Sequence, residues 1–172
     1  MNVQAGGLLA VIAAAAALAC SAGTANADGQ IPEQYHQALT SAPLACGHAE
    51  VTGELGAAHM KADSHWEQFA QSPAGALGPA QLFPTTFAVY GADDDRNGIA
   101  SPFDVVDAIN AAVRVDCAIV THLKSIGHTT DPVSIISAYV GGLALVDDRG
   151  VHEQATRIWD HRPALPTTGG AS

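Results

Sequence analysis

The clearest helical pattern in the chain lies at residues 104–126, which read DVVDAINAAVRVDCAIVTHLKSI. Apolar residues recur there every three or four positions, as they do on the buried face of an α-helix. Asp104 and Asp107 lie at the start, where the helix dipole favours negative charge, and Gly127 follows the end. The pattern predicts a long amphipathic helix whose buried stripe comprises Val105, Ala108, Ile109, Ala112, Val113 and Cys117.

Shorter helical patterns surround this segment, and no stretch alternates apolar and polar residues as an exposed strand would. Residues 64–78 are rich in Ser, Gly and Pro and predict a loop. We therefore expect a compact all-α domain. Its other helices are predicted at 51–63 with Thr52 as the N-cap, at 79–90 as two short pieces broken by Pro84, from Pro132 to Tyr139, and from His152 to Trp159.

Composition limits the classes of function. The chain has 172 residues, of which 48% are hydrophobic and 14% charged, as expected for one packed domain. Its formal net charge is −10 at pH 7, which would repel a phosphate backbone and argues against nucleic acid as a partner.

The N-terminus has the features of an export signal at residues 1–27. The apolar run from Leu8 to Ala19 is shorter than the roughly 20 residues that a bilayer-spanning helix needs, and an Ala-x-Ala cleavage pattern ends at Ala27. We expect a mature chain outside the cytoplasm, secreted or in the cell envelope, without a transmembrane span. A lipid anchor on Cys20 is a weaker alternative, since the residues before it match a lipoprotein signal only in part.

Cleavage would leave two cysteines, Cys46 and Cys117, in an oxidising compartment. We expect them to form a disulfide, and two buried free thiols are the alternative. The predicted organisation is an N-terminal lead-in at 28–43, a single domain at 44–162 and a disordered tail at 163–172.

The acidic loop, defined as residues 93–104, reads DDDRNGIASPFD. Its acidic and polar residues alternate around a Gly at the sixth position, as in the loop of an EF-hand, and clustered carboxylates repel one another unless a cation lies among them. The loop therefore predicts a structural Ca²⁺ site, and an acidic turn that caps the next helix is the alternative. The predicted ligands are Asp93, Asp95, Asn97, the backbone carbonyl of Ile99, Ser101 and Asp104.

Three short motifs occur in order: Asp63-Ser64, then residues 78–81 (GPAQ), then Ala138-Tyr139, with the acidic loop between the second and third. This arrangement resembles the bacterial lytic transglycosylases with an SLT-type, lysozyme-like domain and an EF-hand-like calcium loop. That family shows Glu-Ser, Gly-x-x-Gln and Ala-Tyr in the same order. The resemblance covers residues 44–159 and implies a lysozyme-like helical fold.

The resemblance also implies a reaction on the glycan strands of peptidoglycan. One carboxyl group cleaves the MurNAc–GlcNAc bond and leaves a 1,6-anhydro product, with no second carboxylate needed. By matching motif positions, Asp63 is the candidate acid/base and Tyr139 the residue that orients it, while Ser64 and Gln81 are candidate substrate contacts. Residues of these types also occur in purely structural roles, as a buried aromatic, a helix-end cap and a helix-start residue.

The sequence departs from the family where the chemistry occurs, because Asp63 stands at the position of the catalytic Glu. Asp is shorter by one methylene, which retracts the carboxyl by roughly 1.5 Å. A misplacement of about 1 Å can reduce a rate on the order of a hundredfold. Two functions are therefore expected to compete: a lytic transglycosylase with weakened activity, and a catalytically inactive peptidoglycan-binding or scaffold domain of the same fold.

Overall fold

A computed structural model describes residues 30–166 of the chain. The export signal predicted at 1–27, the anchor at Cys20 and the last part of the predicted tail, 167–172, lie outside these residues. Within the described range the chain is all-α, as predicted. Its α-helices are α1 (Glu33–Ser41), α2 (Gly53–Ser64), α3 (Pro84–Tyr90), α4 (Val105–Ser125), α5 (Pro132–Gly141) and α6 (Arg149–Asp160), with short 3-10 helices at Ala42–Ala45 and Leu143–Leu145.

Helix α4 lies at the centre of the core and contacts α1, α2, α3 and α5, while α5 packs against α6. The prediction for this helix is confirmed, because the Asp104 side chain caps its first turn and Gly127, with a φ of +71°, follows its end. Ile109, Ile119 and Leu123 are fully buried along it. No helix among residues 30–166 has the length and hydropathy that a bilayer crossing requires.

Helix α2 also begins as predicted, since the Thr52 hydroxyl accepts a hydrogen bond from the Leu55 N–H at 3.2 Å. The prediction of two helical pieces at 79–90 is wrong for its first half. Leu77 and Leu82 exchange backbone hydrogen bonds of 2.9 and 3.1 Å, and this tight turn replaces the first piece. Helix α3 then begins at Pro84, whose fixed φ suits a first helical position.

The ends of the domain differ from the expectation. Helix α1 lies in the predicted lead-in, yet Tyr35 and Leu39 are buried in the core, so this segment is part of the domain. In the predicted tail, Pro163 is buried and Leu165 packs against the core. Helix α6 begins at Arg149, earlier than predicted, because the Asp148 side chain caps it.

The predicted disulfide is present. Cys46, which follows the first 3-10 helix, is bonded to Cys117 in α4. The bond therefore joins the N-terminal part of the domain to its central helix.

Candidate active site

Asp63 lies in the last turn of α2, where the sequence placed it. Its side chain is partly buried, and Oδ2 is fully buried without a hydrogen-bond partner among the described residues. Burial raises the pKa of this carboxyl from 3.8 to about 7, with a smaller downward effect of His59 and an upward effect of Asp116. Asp63 is therefore a carboxyl group that can both hold and release a proton near neutral pH.

The chain turns sharply directly after this carboxyl. His65 and Trp66 have φ values of +53° and +69°, in the left-handed region that L-residues other than Asn and Asp rarely adopt. Tyr35 holds the turn, since its hydroxyl donates to Trp66 O at 2.9 Å and its ring meets the Trp66 ring edge-on at 5.1 Å. The end of α2 is thereby fixed by α1, the helix that the sequence did not predict.

Ser64 and Gln81 are both buried, and their side chains form local hydrogen bonds. The Ser64 hydroxyl donates to Met60 O at 2.9 Å, one turn earlier in α2. The Gln81 side-chain amide donates to Gly78 O at 2.7 Å, within the turn that connects Leu77 and Leu82. Their roles as substrate contacts remain predictions, since in this structure each side chain stabilises its own turn.

Tyr139 is buried in α5, and its hydroxyl donates to Ala80 O at 2.9 Å. This hydrogen bond ties α5 to the turn that carries Gln81, and the Tyr139 hydroxyl forms no hydrogen bond with Asp63. Burial and then the nearby Asp63 charge raise the pKa of the Tyr139 hydroxyl. Its role in orienting the acid remains a prediction, since in this structure the hydroxyl contacts the Ala80 carbonyl.

The structure adds two charged residues that the motifs did not include. His59 lies one turn before Asp63 in α2, and Asp116 lies in the middle of α4. Each is about 1% exposed, and His59 Nε2 is 3.3 Å from Asp116 Oδ1. The signal available in the sequence was the four-residue spacing of His59 and Asp63, which places both on one face of a helix.

The acidic loop gathers three carboxylates, and one of them was not predicted. Oxygens of Asp93, Asp95 and Asp107 lie within 4.8 Å of one another. Asp107 is fully buried in the first turn of α4 and accepts hydrogen bonds from the N–H groups of Asp94 and Ser101 at 2.7 and 3.0 Å. Burial raises the pKa of this carboxyl, against the lowering effect of its two N–H donors.

The other predicted ligands are distributed differently. Asp104 Oδ1 accepts from the N–H groups of Val106 and Asp107, so this carboxylate caps α4 and is not part of the cluster. The Asn97 side chain donates to Asp95 Oδ2 at 2.9 Å and accepts from the Ile99 N–H at 2.9 Å, and the Ser101 hydroxyl accepts from the Phe103 N–H at 3.2 Å.

A cleft of about 570 Å³ is present in the part of the chain that the structure describes. Its walls include Glu50, Glu54, Asp131, Trp159 and Arg162, and Asp63 does not line it. The cleft therefore does not coincide with the motif residues.

The family model described as the transglycosylase SLT domain matches residues 48–161, well over half of the chain. The matched range contains Asp63, Gln81, the acidic loop and Tyr139. The chain belongs to the transglycosylase SLT domain family. No curated protein and no solved structure matches the chain.

Membership in this family indicates lytic transglycosylase activity on peptidoglycan. The helical architecture around α4 is compatible with the lysozyme-like fold that the sequence predicted.

Proposed function

We propose that the protein cleaves the MurNAc–GlcNAc bond of peptidoglycan with Asp63 as the acid/base and forms a 1,6-anhydro product. The observation that carries the proposal is the state of the Asp63 carboxyl. It occupies the motif position of the family's acid, it is partly buried, and its pKa is raised to about 7. A general acid works best when its pKa lies near the working pH.

The reaction needs one protein carboxyl. Protonated Asp63 gives its proton to the bridging oxygen as the bond from that oxygen to C1 of the muramyl sugar breaks. The resulting carboxylate takes the proton of the C6 hydroxyl as the C6 oxygen bonds to C1, which restores the acid. The nucleophile belongs to the substrate, so the step gains from the high effective molarity of an intramolecular attack.

The remaining motif residues support this chemistry from the turn beside the acid. Tyr139 holds the Ala80 carbonyl and thereby fixes the backbone that presents Gln81. We assign Ser64 and Gln81 to the sugar-facing edge of the site, where their local hydrogen bonds would be exchanged for contacts to the glycan when it binds.

A catalytically inactive binding or scaffold domain is the second candidate function. It is favoured by the shorter acid and by the hydroxyl of Tyr139, which donates to Ala80 O and not to Asp63. Such a domain would bind glycan strands without cleaving them.

Digestion of purified peptidoglycan, read by mass spectrometry of the soluble fragments, separates these candidates. The wild-type chain is expected to release anhydromuropeptides, and Asp63→Asn to reduce their yield by roughly 10²- to 10⁴-fold. Glu67→Gln is the matched control, because Glu67 is an exposed carboxylate four residues further on, and it should leave the yield unchanged. If Asp63→Glu alone forms the product, the wild-type chain is a binding domain. Fragments with free reducing ends would indicate hydrolysis.

We also propose that the acidic loop binds a structural Ca²⁺ through Asp93, Asp95 and Asp107. Oxygen ligands of this kind suit Ca²⁺, which would neutralise the three carboxylates and fix the start of α4. Calcium at millimolar concentration should raise the melting temperature relative to EDTA. Asp107→Asn should abolish that increase, whereas Asp104→Asn should retain it, since Asn is an equally good helix cap.

Export belongs to the proposal as well, because peptidoglycan lies outside the cytoplasm and the first 27 residues have the pattern of a signal. Sequencing the N-terminus of the chain isolated from its native host should give Asp28 as the first residue. Recovery of an uncleaved chain from the cytoplasm would contradict export.

A further inference from the structure

The charged pair formed by His59 and Asp116 is unusual for its position. Both side chains are about 1% exposed, and within residues 30–166 neither the ring nitrogens of His59 nor the carboxylate oxygens of Asp116 have a hydrogen-bond partner. His59 Nε2 and Asp116 Oδ1 lie 3.3 Å apart, and this is the one ion pair that the described part of the chain gives to either residue. Burying two ionisable groups with so few partners is unfavourable, so a purely structural purpose is a poor explanation for the pair.

The pair is in contact with the residues of the proposed reaction. Asp63 lies one turn after His59 on the same face of α2. The His59 ring stacks on the Tyr139 ring with centroids 3.9 Å apart, and the Tyr139 hydroxyl holds the Ala80 carbonyl. The pair therefore connects α2, α4 and α5 close to the acid.

The titratable groups around His59 come from these elements. Helix α4 supplies Asp116, α5 supplies Tyr139, and α2 itself supplies Asp63. On α1, Tyr35 directs its hydroxyl to Trp66 O. Burial lowers the pKa of His59, but the charges of Asp116 and Asp63 act against it and the net pKa is raised. Within this cluster His59 is thus the cation, opposed by two carboxyl groups.

We propose that His59 and Asp116 are positioning residues for Asp63: the pair is neutral overall, so the Asp63 carboxyl takes up and releases its proton beside two opposite charges that largely cancel. The inference rests on the proposed function, in which Asp63 is the acid/base. With Asp63 protonated the buried cluster has no net charge, and with Asp63 ionised it carries one negative charge that burial disfavours. Burial thus favours the form that donates the proton, whereas His59 lowers and Asp116 raises the pKa of Asp63.

The proposal predicts shifts of opposite sign for its two members. In Asp116→Asn no carboxylate offsets the charge of the His59 cation. The titration of Asp63 should therefore move to lower pH by about one unit or more. His59→Gln leaves two carboxyl groups together, so the same titration should move to higher pH by a similar amount. The double variant should return toward the wild-type value, and Glu67→Gln should leave it unchanged.

Two measurements on the full chain test this. The first is carbon NMR of the Asp63 carboxyl across pH 4–9, and the second is the pH profile of anhydromuropeptide release. Opposite shifts in both support the proposal. If each variant lowers the yield equally at every pH, with no change in the Asp63 titration, the pair is structural and the proposal is overturned.

The two proposals fail separately. A wild-type chain that releases no product while its Asp63 titration shifts as described would refute the proposed function and leave this inference intact. If Asp116→Asn does not fold, the proposal can still be tested on the wild-type chain. It requires that His59 remain protonated across the pH range in which Asp63 titrates. Loss of the His59 proton before Asp63 ionises would overturn the proposal.

Discussion

Replacement of Gly78 by alanine is expected to destabilise the domain strongly, because this glycine has both an unusual backbone conformation and no free space. Its φ is +73°, and a Cβ built there would lie 1.7 Å from the carbonyl oxygen of Pro102. That oxygen belongs to the backbone of the acidic loop, so it cannot rotate away as a flexible side chain would. The turn that carries Gln81 therefore packs directly on this loop.

Gly75 provides the matched control. Its φ is +89°, and no atom lies within 4 Å of the position of an added Cβ. Both variants carry the same penalty for a left-handed alanine, roughly 1–2 kcal/mol. Gly78→Ala adds an overpacking term of about 1–3 kcal/mol. We expect about 1 kcal/mol for Gly75→Ala and about 3 kcal/mol for Gly78→Ala.

Thermal and urea unfolding followed by circular dichroism measure the difference. For a domain of this size, about 3 kcal/mol corresponds to a decrease in melting temperature of roughly 6–12 °C, against roughly 2–4 °C for the control. The same variant should also reduce peptidoglycan cleavage, since Gly78 O accepts the Gln81 amide. Equal melting temperatures for the two variants would refute the packing argument and leave backbone conformation as the whole effect.

Three further outcomes are expected. Cys46→Ser should lower the unfolding free energy by about 4 kcal/mol, because the disulfide closes a loop between residues 71 positions apart; urea unfolding of the variant against the oxidised wild-type chain measures it. Thr52→Ala removes the cap of α2 and should reduce the unfolding free energy by about 1 kcal/mol, whereas Thr52→Ser should be neutral within error. The pKa of Asp63 is about 7 in the folded chain against an ordinary 3.8, so its contribution to stability is present at low pH and is lost as pH rises from about 4 through about 7. Asp63→Asn should therefore melt above the wild-type chain at pH 8 and level with it at pH 4, and a higher melting temperature at pH 4 alone would contradict this sign.

The parts of the fold that the sequence predicted well are those with local causes. The long helix α4 follows from a periodic apolar stripe, a capping Asp104 and a terminating Gly127, all within one segment. The same holds for α2, which Thr52 begins. Helix α1 was missed because its sequence is short and polar, and Tyr35 and Leu39 become core residues through packing against distant elements.

The carboxylates of the acidic loop show why spacing alone is insufficient to choose candidate ligands. Counting along a 12-residue loop places Asp104 at the last ligand position. Helix α4 begins there, however, and its free N–H groups take the Asp104 carboxylate as a cap. Asp107, three residues later on the same side of the helix, faces back into the loop. The start of the helix therefore decides that Asp104 acts as a cap.

The contact between His59 and Asp116 could not be predicted from the sequence, for a related reason. His59 and Asp116 lie on different helices, and each is surrounded in sequence by apolar residues typical of a core position. The predicted buried stripe of α4 did not include Asp116, and periodicity within one helix does not predict that it meets His59 at 3.3 Å. That contact depends on how α2 and α4 pack, which is a property of the whole core.

The same pair bears on how a shorter acid can serve this reaction. Aspartate cannot reach as far as glutamate, so its effectiveness depends on a fixed helix end and on carrying a proton at the pH of the reaction. Tyr35 and Trp66 supply the first, through a hydrogen bond of 2.9 Å at the turn directly after α2. Burial supplies the second by raising the pKa of the Asp63 carboxyl, and His59 and Asp116 act on that pKa with opposite signs. Well-packed apolar residues in place of a buried ion pair often give equal or greater stability, so a pair kept in this core close to the acid is better explained by its effect on the protonation of Asp63 than by stability.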